Sequence, residues 1–202
     1  MLKIKLKLRN VIAIAVCLVS SATLFAQEKD GVTINRTTWA ARYVGTPRNF
    51  VDNPSDYGRF YQWNSNRAWT KDEDKSEWDT LWLGNCKNTW QNEDELCPYG
   101  WRLPSVGEIK NLIASGSFTG TLNGVKGNFF VGDSGELLFF PYGTLDKKGR
   151  WPANSSDNYG NIWTNTGHTD TCAYNMGYNK GAASWSNSTE RAYGLYVRCV
   201  KK

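Results

Sequence analysis

Apolar positions along this chain come in short, interrupted groups. Val32, Ile34, Trp39 and Val44 stand among polar residues after Gly31, a pattern that predicts one or two short strands. Phe60, Tyr61, Trp63 and Trp69 crowd the next apolar segment, and the charged run from Lys71 to Asp79 reads as a solvated loop. Only one stretch has helical spacing: Val106, Ile109, Leu112 and Ile113 fall on one face. Ser105 and Glu108 flank its start as a capping box, and Gly116 can close its end. Leu122–Phe130 and Glu136–Phe140 then read as strands, and the unbroken Leu137-Leu138-Phe139-Phe140 as a buried central one. A long polar loop covers Gly143 to Tyr159. Ile162-Trp163 opens a short strand, and Ala173–Tyr178 and Tyr193–Val200 close the sheet. With no internal repeat or linker, residues 27–202 read as one domain.

The N-terminus has a different pattern. Lys3, Lys5, Lys7 and Arg9 precede an uncharged apolar run, Val11 to Val19, followed by Ser20, Ser21, Ala22 and Thr23. That order is a secretory signal peptide, residues 1–26, with Ala26 before the cut. The apolar run is far shorter than the roughly 20 residues a spanning helix needs, so no stable membrane span is expected after cleavage. The expected location is outside the cytoplasm, in the periplasm or at the cell surface. Export also changes the charge argument. The whole chain carries +5, but four of those charges belong to the signal, leaving +1. The basic balance is therefore no sign of nucleic-acid binding.

All ten tryptophans and all ten tyrosines follow Ala26, among many glycines, asparagines and serines. Aromatics bury large area from few residues, while Gly and Asn mark turns, so a loop-rich domain is expected. Four cysteines remain after cleavage: Cys86, Cys97, Cys172 and Cys199. In an exported chain an even count reads as two disulfides. Three connectivities exist, and spacing does not choose among them. Zinc is disfavoured, because there is no Cys-x-x-Cys pair and the single histidine is His168.

Several blocks resemble a known family. They are Cys97-Pro98-Tyr99-Gly100-Trp101-Arg102-Leu103-Pro104-Ser105 with Glu108, Phe140-Pro141-Tyr142-Gly143, Gly160-Asn161-Ile162-Trp163-Thr164-Asn165-Thr166, and Tyr193-Gly194-Leu195-Tyr196-Val197-Arg198-Cys199-Val200. Together they look like the Fibrobacter succinogenes major paralogous domain, a family of exported bacterial domains, over residues 31–200. The resemblance implies an α+β, C-type-lectin-like fold, with a short helix packed on small antiparallel sheets and long irregular loops. It also implies a Cys97–Cys199 bridge, leaving Cys86–Cys172. The competing pairing is Cys86–Cys97 with Cys172–Cys199.

Few residues stand out as chemistry. The sugar-binding and calcium motifs of C-type lectins are absent, and the acids Asp72, Glu73, Asp74, Glu77 and Asp79 lack the spacing of a calcium loop. No metal or cofactor is expected. The Arg-Leu-Pro-Ser-x-x-Glu stretch also resembles formylglycine-generating sulfatase modifiers, but their reactive cysteine motif has no counterpart here, and no other nucleophile motif is present. Arg198 is expected to meet a carboxylate beside the final strand. The reading favoured is a non-enzymatic recognition or adhesion module for a glycan or surface protein, calcium-independent toward sugar. Trp151, Tyr159, Trp163 and Trp185 are its candidate contacts, because aromatics among Asn, Ser and Gly make adaptable recognition loops. The alternative is a structural component of a cell-envelope assembly.

Overall fold

The computed structural model describes residues 30–151 and 158–202; the expected signal peptide lies outside them. No helix among the described residues is long and apolar enough to cross a membrane.

The first hairpin pairs β1 (Gly31–Ile34) with β2 (Thr37–Ala40), turning through Asn35 and Arg36, both at positive φ. The sheet continues through β10 (Val200–Lys201) to β3 (Trp101–Arg102), so the two ends of the described chain lie in one antiparallel sheet. The one α-helix among the described residues, α1 (Val106–Ala114), follows β3. A second sheet holds β4 (Phe118–Leu122), β5 (Val125–Val131) and β6 (Leu137–Pro141). A third holds β7 (Tyr159–Gly167), β8 (Cys172–Asn179) and β9 (Ala182–Glu190). Strand takes 39% of the structure and helix 9%, so the fold is β-rich, correcting the α+β expectation. The arrangement does not show the C-type-lectin-like fold that the resemblance implies.

The strand differences have local causes. Leu122–Phe130 is not one strand but a hairpin turning at Asn123-Gly124, both at positive φ, as tight hairpin turns require. β6 is buried as expected but lies at the edge of its sheet, not the centre. Side chains take the place of a neighbouring strand there. Arg198 Nη2 donates to Phe139 O at 2.6 Å, and the Tyr178 and Tyr43 hydroxyls donate to Pro141 O at 2.7 and 3.3 Å. Tyr193–Val200 is mostly irregular, touching Tyr61, Leu145 and Ile162 through isolated bridges before β10 begins.

One apolar cluster gathers Val32, Trp39, Ile109, Leu112, Phe130, Phe140, Ile162, Met176 and Tyr196, drawing on all three sheets and α1. A second surrounds Trp63, Trp90, Trp101, Leu103 and Trp163. Beside it the Cys97–Cys199 bond is formed, with Cα atoms 6.2 Å apart. It joins the residues preceding β3 and β10, strands already in register at Val200 and Arg102.

The capping box forms as expected. The Ser105 oxygen accepts from Glu108 N at 3.3 Å, and Glu108 Oε2 accepts from Ser105 N at 2.8 Å. Glu108 also takes a two-pronged contact from Arg102, at 2.9 and 2.6 Å. Burial pushes the Glu108 carboxyl up, but the hydrogen bonds from Arg102 and Ser105 outweigh it and the net direction is down. A depressed acid stabilises the fold fully above its ordinary value of about 4.3, and loses that contribution as pH falls through the folded value. Glu108→Gln is expected to cost about 1 kcal/mol at neutral pH, the pair being only partly buried. Urea midpoints should converge with the parent's as pH falls below the ordinary carboxylate range. A gap unchanged by acid would refute this account.

Candidate functional site

An open cleft of about 460 Å³ lies among three chain segments: residues 45–60, Thr70–Asp72, and Trp151. Its size falls within the roughly 300–1,000 Å³ of small-ligand sites. The first segment leaves β2 and folds back on itself, with Gly45 N donating to Asn49 O at 2.8 Å and Val51 N to Tyr43 O at 3.0 Å. Asp56 accepts from Asn53 N and Nδ2 at 2.9 and 3.0 Å, which fixes the turn before Tyr57. Gly58 then lies flat on the backbone behind it. A Cβ there would sit 2.6 Å from Tyr43 Cβ and 2.9 Å from Val44 O. Only glycine permits that approach, and it leaves Tyr57 at the rim, 44% exposed.

The second segment is held against the first by Phe60 and Trp69, which exchange backbone hydrogen bonds at 2.9 Å in both directions. Glu73 caps the turn that follows, accepting from Thr70 N at 2.5 Å, while Lys75 Nζ donates to Thr70 O and Glu73 O at 2.7 Å. The acids of this run therefore have separate tasks. Asp74 caps Ser76, Glu77 pairs with Arg67, Asp79 caps Leu81, and Asp72 lines the cleft. The third segment is set by the Asp146–Arg150 turn, in which Asp146 Oδ1 accepts from Lys148 N and Arg150 N at 2.8 and 3.0 Å. Trp151 follows it, its ring beside Gly143, where a Cβ would come within 2.8 Å of the indole.

The lining combines Phe50, Tyr57, Phe60 and Trp151 with the carboxylates of Asp52, Asp56 and Asp72 and the cations of Arg59 and Lys71. Such a surface offers π faces to the C–H side of a ring and charged hydrogen-bond partners to hydroxyl groups.

The four aromatics picked out in the sequence do not meet. Trp151 is in the cleft. Trp163 is fully buried in the second core cluster, donating Nε1 to Tyr61 O at 2.7 Å, so it is a packing residue with no face to offer a ligand. Tyr159 borders a smaller hollow of about 180 Å³ with Tyr178 and Ala182–Ser184. Trp185 is 44% exposed beside α1, where Lys110 Nζ lies 4.3 Å from its ring centre and Tyr174 stands 6.0 Å away.

No family model, curated protein or solved structure matches this chain.

The expected second disulfide is not formed: Cys86 is exposed and carries a free thiol. A guanidinium joins those segments instead. Arg191 Nη1 donates to Leu83 O at 2.8 Å and Nε to Cys172 O at 3.2 Å, while its carbon lies 4.4 Å from the centre of the Trp63 ring. Arg198, expected beside a carboxylate, meets carbonyls and aromatic rings instead. Tyr57, Lys71 and Asp52 were absent from the sequence-derived candidates. Their cue was weak, an Asp-Tyr-Gly turn and a charged run that read as solvent-facing, because segments far apart in sequence build the cleft.

Proposed function

We propose that this chain is an exported recognition module that binds a glycan in the Tyr57–Trp151 cleft without chemical turnover and without calcium. The observation that carries this reading is an exposed tyrosine and a half-buried tryptophan beside three carboxylates in one open cleft. Aromatic rings stack on the apolar faces of sugars, and carboxylates accept from their hydroxyls. The order of charges and apolar residues before Ala26 supports export, as does the long-range Cys97–Cys199 bond, of a kind that persists in oxidising compartments.

The test is a glycan array probed with the oxidised chain lacking residues 1–26, followed by calorimetry on the best hit. Tyr57→Ala and Trp151→Ala are each expected to weaken binding at least roughly tenfold, the loss of one stacked ring. Tyr57→Ala should leave the melting temperature nearly unchanged, because its ring is at the rim. Failure of the folded chain to bind any glycan would overturn the reading, and stable self-association without sugar binding would favour an envelope-assembly role.

A further inference from the structure

The cleft already holds a cation. Lys71 Nζ lies 5.8 Å from the Tyr57 ring centre and 5.5 Å from that of Trp151. Those two rings stand 6.1 Å apart at 80°, and Phe60 meets Trp151 at 5.7 Å and 71°. Phe60 is itself held by stacking on Tyr196, 4.4 Å away, so this corner is anchored in the core. Rings meeting at steep angles turn more than one π face toward a single point, an arrangement that attracts ammonium groups. Among the described residues Lys71 forms no ion pair; its ammonium is placed by the rings. Around it the lining has three carboxylates against Arg59 as the other cation.

We infer that the cleft takes a ligand ammonium and that Lys71 is its resident competitor, so the preferred glycan is an oligomer of sugars with free amino groups. This rests on the glycan reading of the cleft. Any sugar that stacks on Tyr57 and Trp151 must displace the Lys71 ammonium, which is on an exposed side chain and can swing into water. A neutral or N-acetylated sugar puts no cation back, leaving the ring faces and carboxylates uncompensated. An acidic sugar adds like charge beside Asp52, Asp56 and Asp72. An amino sugar restores what Lys71 supplied, while its hydroxyls reach the carboxylates.

Calorimetry of the mature chain with a chitosan oligosaccharide, its fully N-acetylated counterpart and a cello-oligosaccharide of equal length separates these cases. The amino oligomer should bind roughly tenfold tighter than either neutral one, and that margin should shrink as salt is added. Lys71→Gln should raise affinity for the amino oligomer roughly two- to fivefold, the size of the cation–π contact it removes. The double variant Asp52→Asn/Asp72→Asn, at two exposed positions, should erase the preference while leaving stacking on the rings. Equal binding of all three oligomers, or weaker binding by Lys71→Gln, overturns this inference and leaves the glycan site standing. Failure of every oligomer overturns this inference, and the glycan reading falls with it only if the array also shows no hit. Tighter binding of a lysine-rich peptide than of the chitosan oligosaccharide overturns the sugar assignment.

Discussion

Replacing Cys97 and Cys199 together by alanine is expected to lower stability by about 4 kcal/mol, near the upper end for a native bridge. The bond spans 102 positions, and loop-closure entropy rises with the length of chain closed, so this crosslink restricts the unfolded chain more than a local one would. The folded structure gives the second half of the argument. Both residues are fully buried in the apolar cluster around Trp101 and Leu103, so the paired alanines also leave unfilled volume. For a chain of this size the loss corresponds to roughly 10 °C in melting temperature. The measurement is calorimetric melting of the parent and double variant. Adding reductant to the parent should reproduce most of the shift, because Cys86 is outside the bond. A shift of under about 2 °C would show that the crosslink contributes little.

Arg198→Met should destabilise by about 3 kcal/mol, a large effect for one residue. The guanidinium is completely buried, and no carboxylate among the described residues pairs with it. Its charge is compensated otherwise. Nη1 donates to Ala40 O at 3.0 Å and Nη2 to Phe139 O at 2.6 Å, while the Tyr43 and Phe140 ring centres lie 4.0 and 4.5 Å from its carbon. Burial lowers its proton affinity, and the adjacent tyrosine hydroxyls, Tyr43 first, act against that. Removing a buried charge is often harmless when its partners leave with it. Here the partners are backbone carbonyls of β2 and β6, which stay behind unsatisfied. Arg198→Lys should recover only part of the loss, since a single ammonium cannot stack flat between two rings and reach two strands at once. Urea unfolding of both variants tests this. A methionine variant within about 1 kcal/mol of the parent would sink it.

The parts of this fold legible in the sequence were those fixed locally. The Ser105–Glu108 box and the apolar positions Ile109 and Leu112 specify α1 within a few residues of themselves. Val32, Ile34 and Trp39 mark the short strands β1 and β2 in the same way, while their pairing through Asn35-Arg36 is seen only in the structure. β9 has no local signal because Ala182–Glu190, apart from Trp185, is mostly small and polar, and becomes a strand through pairing with β8. The Asn123-Gly124 turn is a hairpin signal, but Phe118–Leu122 before it lacks a clear apolar alternation. The placement of Leu137–Phe140 at a sheet edge had no local signal, because donors from Tyr43, Tyr178 and Arg198 stand in for the missing strand.

The candidate site divides the same way. Trp151 was picked out by its setting, but Trp163 had an identical compositional case and is entirely buried. The difference lies in register and packing, which composition does not encode. Tyr57 and Lys71 gain their meaning from Trp151, across a long stretch of intervening chain.

The side-chain donors along β6 also bear on assembly. A bare strand edge is a template on which another chain can zip, the route to fibrils and to strand-swapped partners. On β6 the outward carbonyls of Phe139 and Pro141 are already taken by Arg198 and two tyrosines. An incoming strand finds these two acceptors already occupied. Strand addition on the β6 side of this sheet is therefore disfavoured.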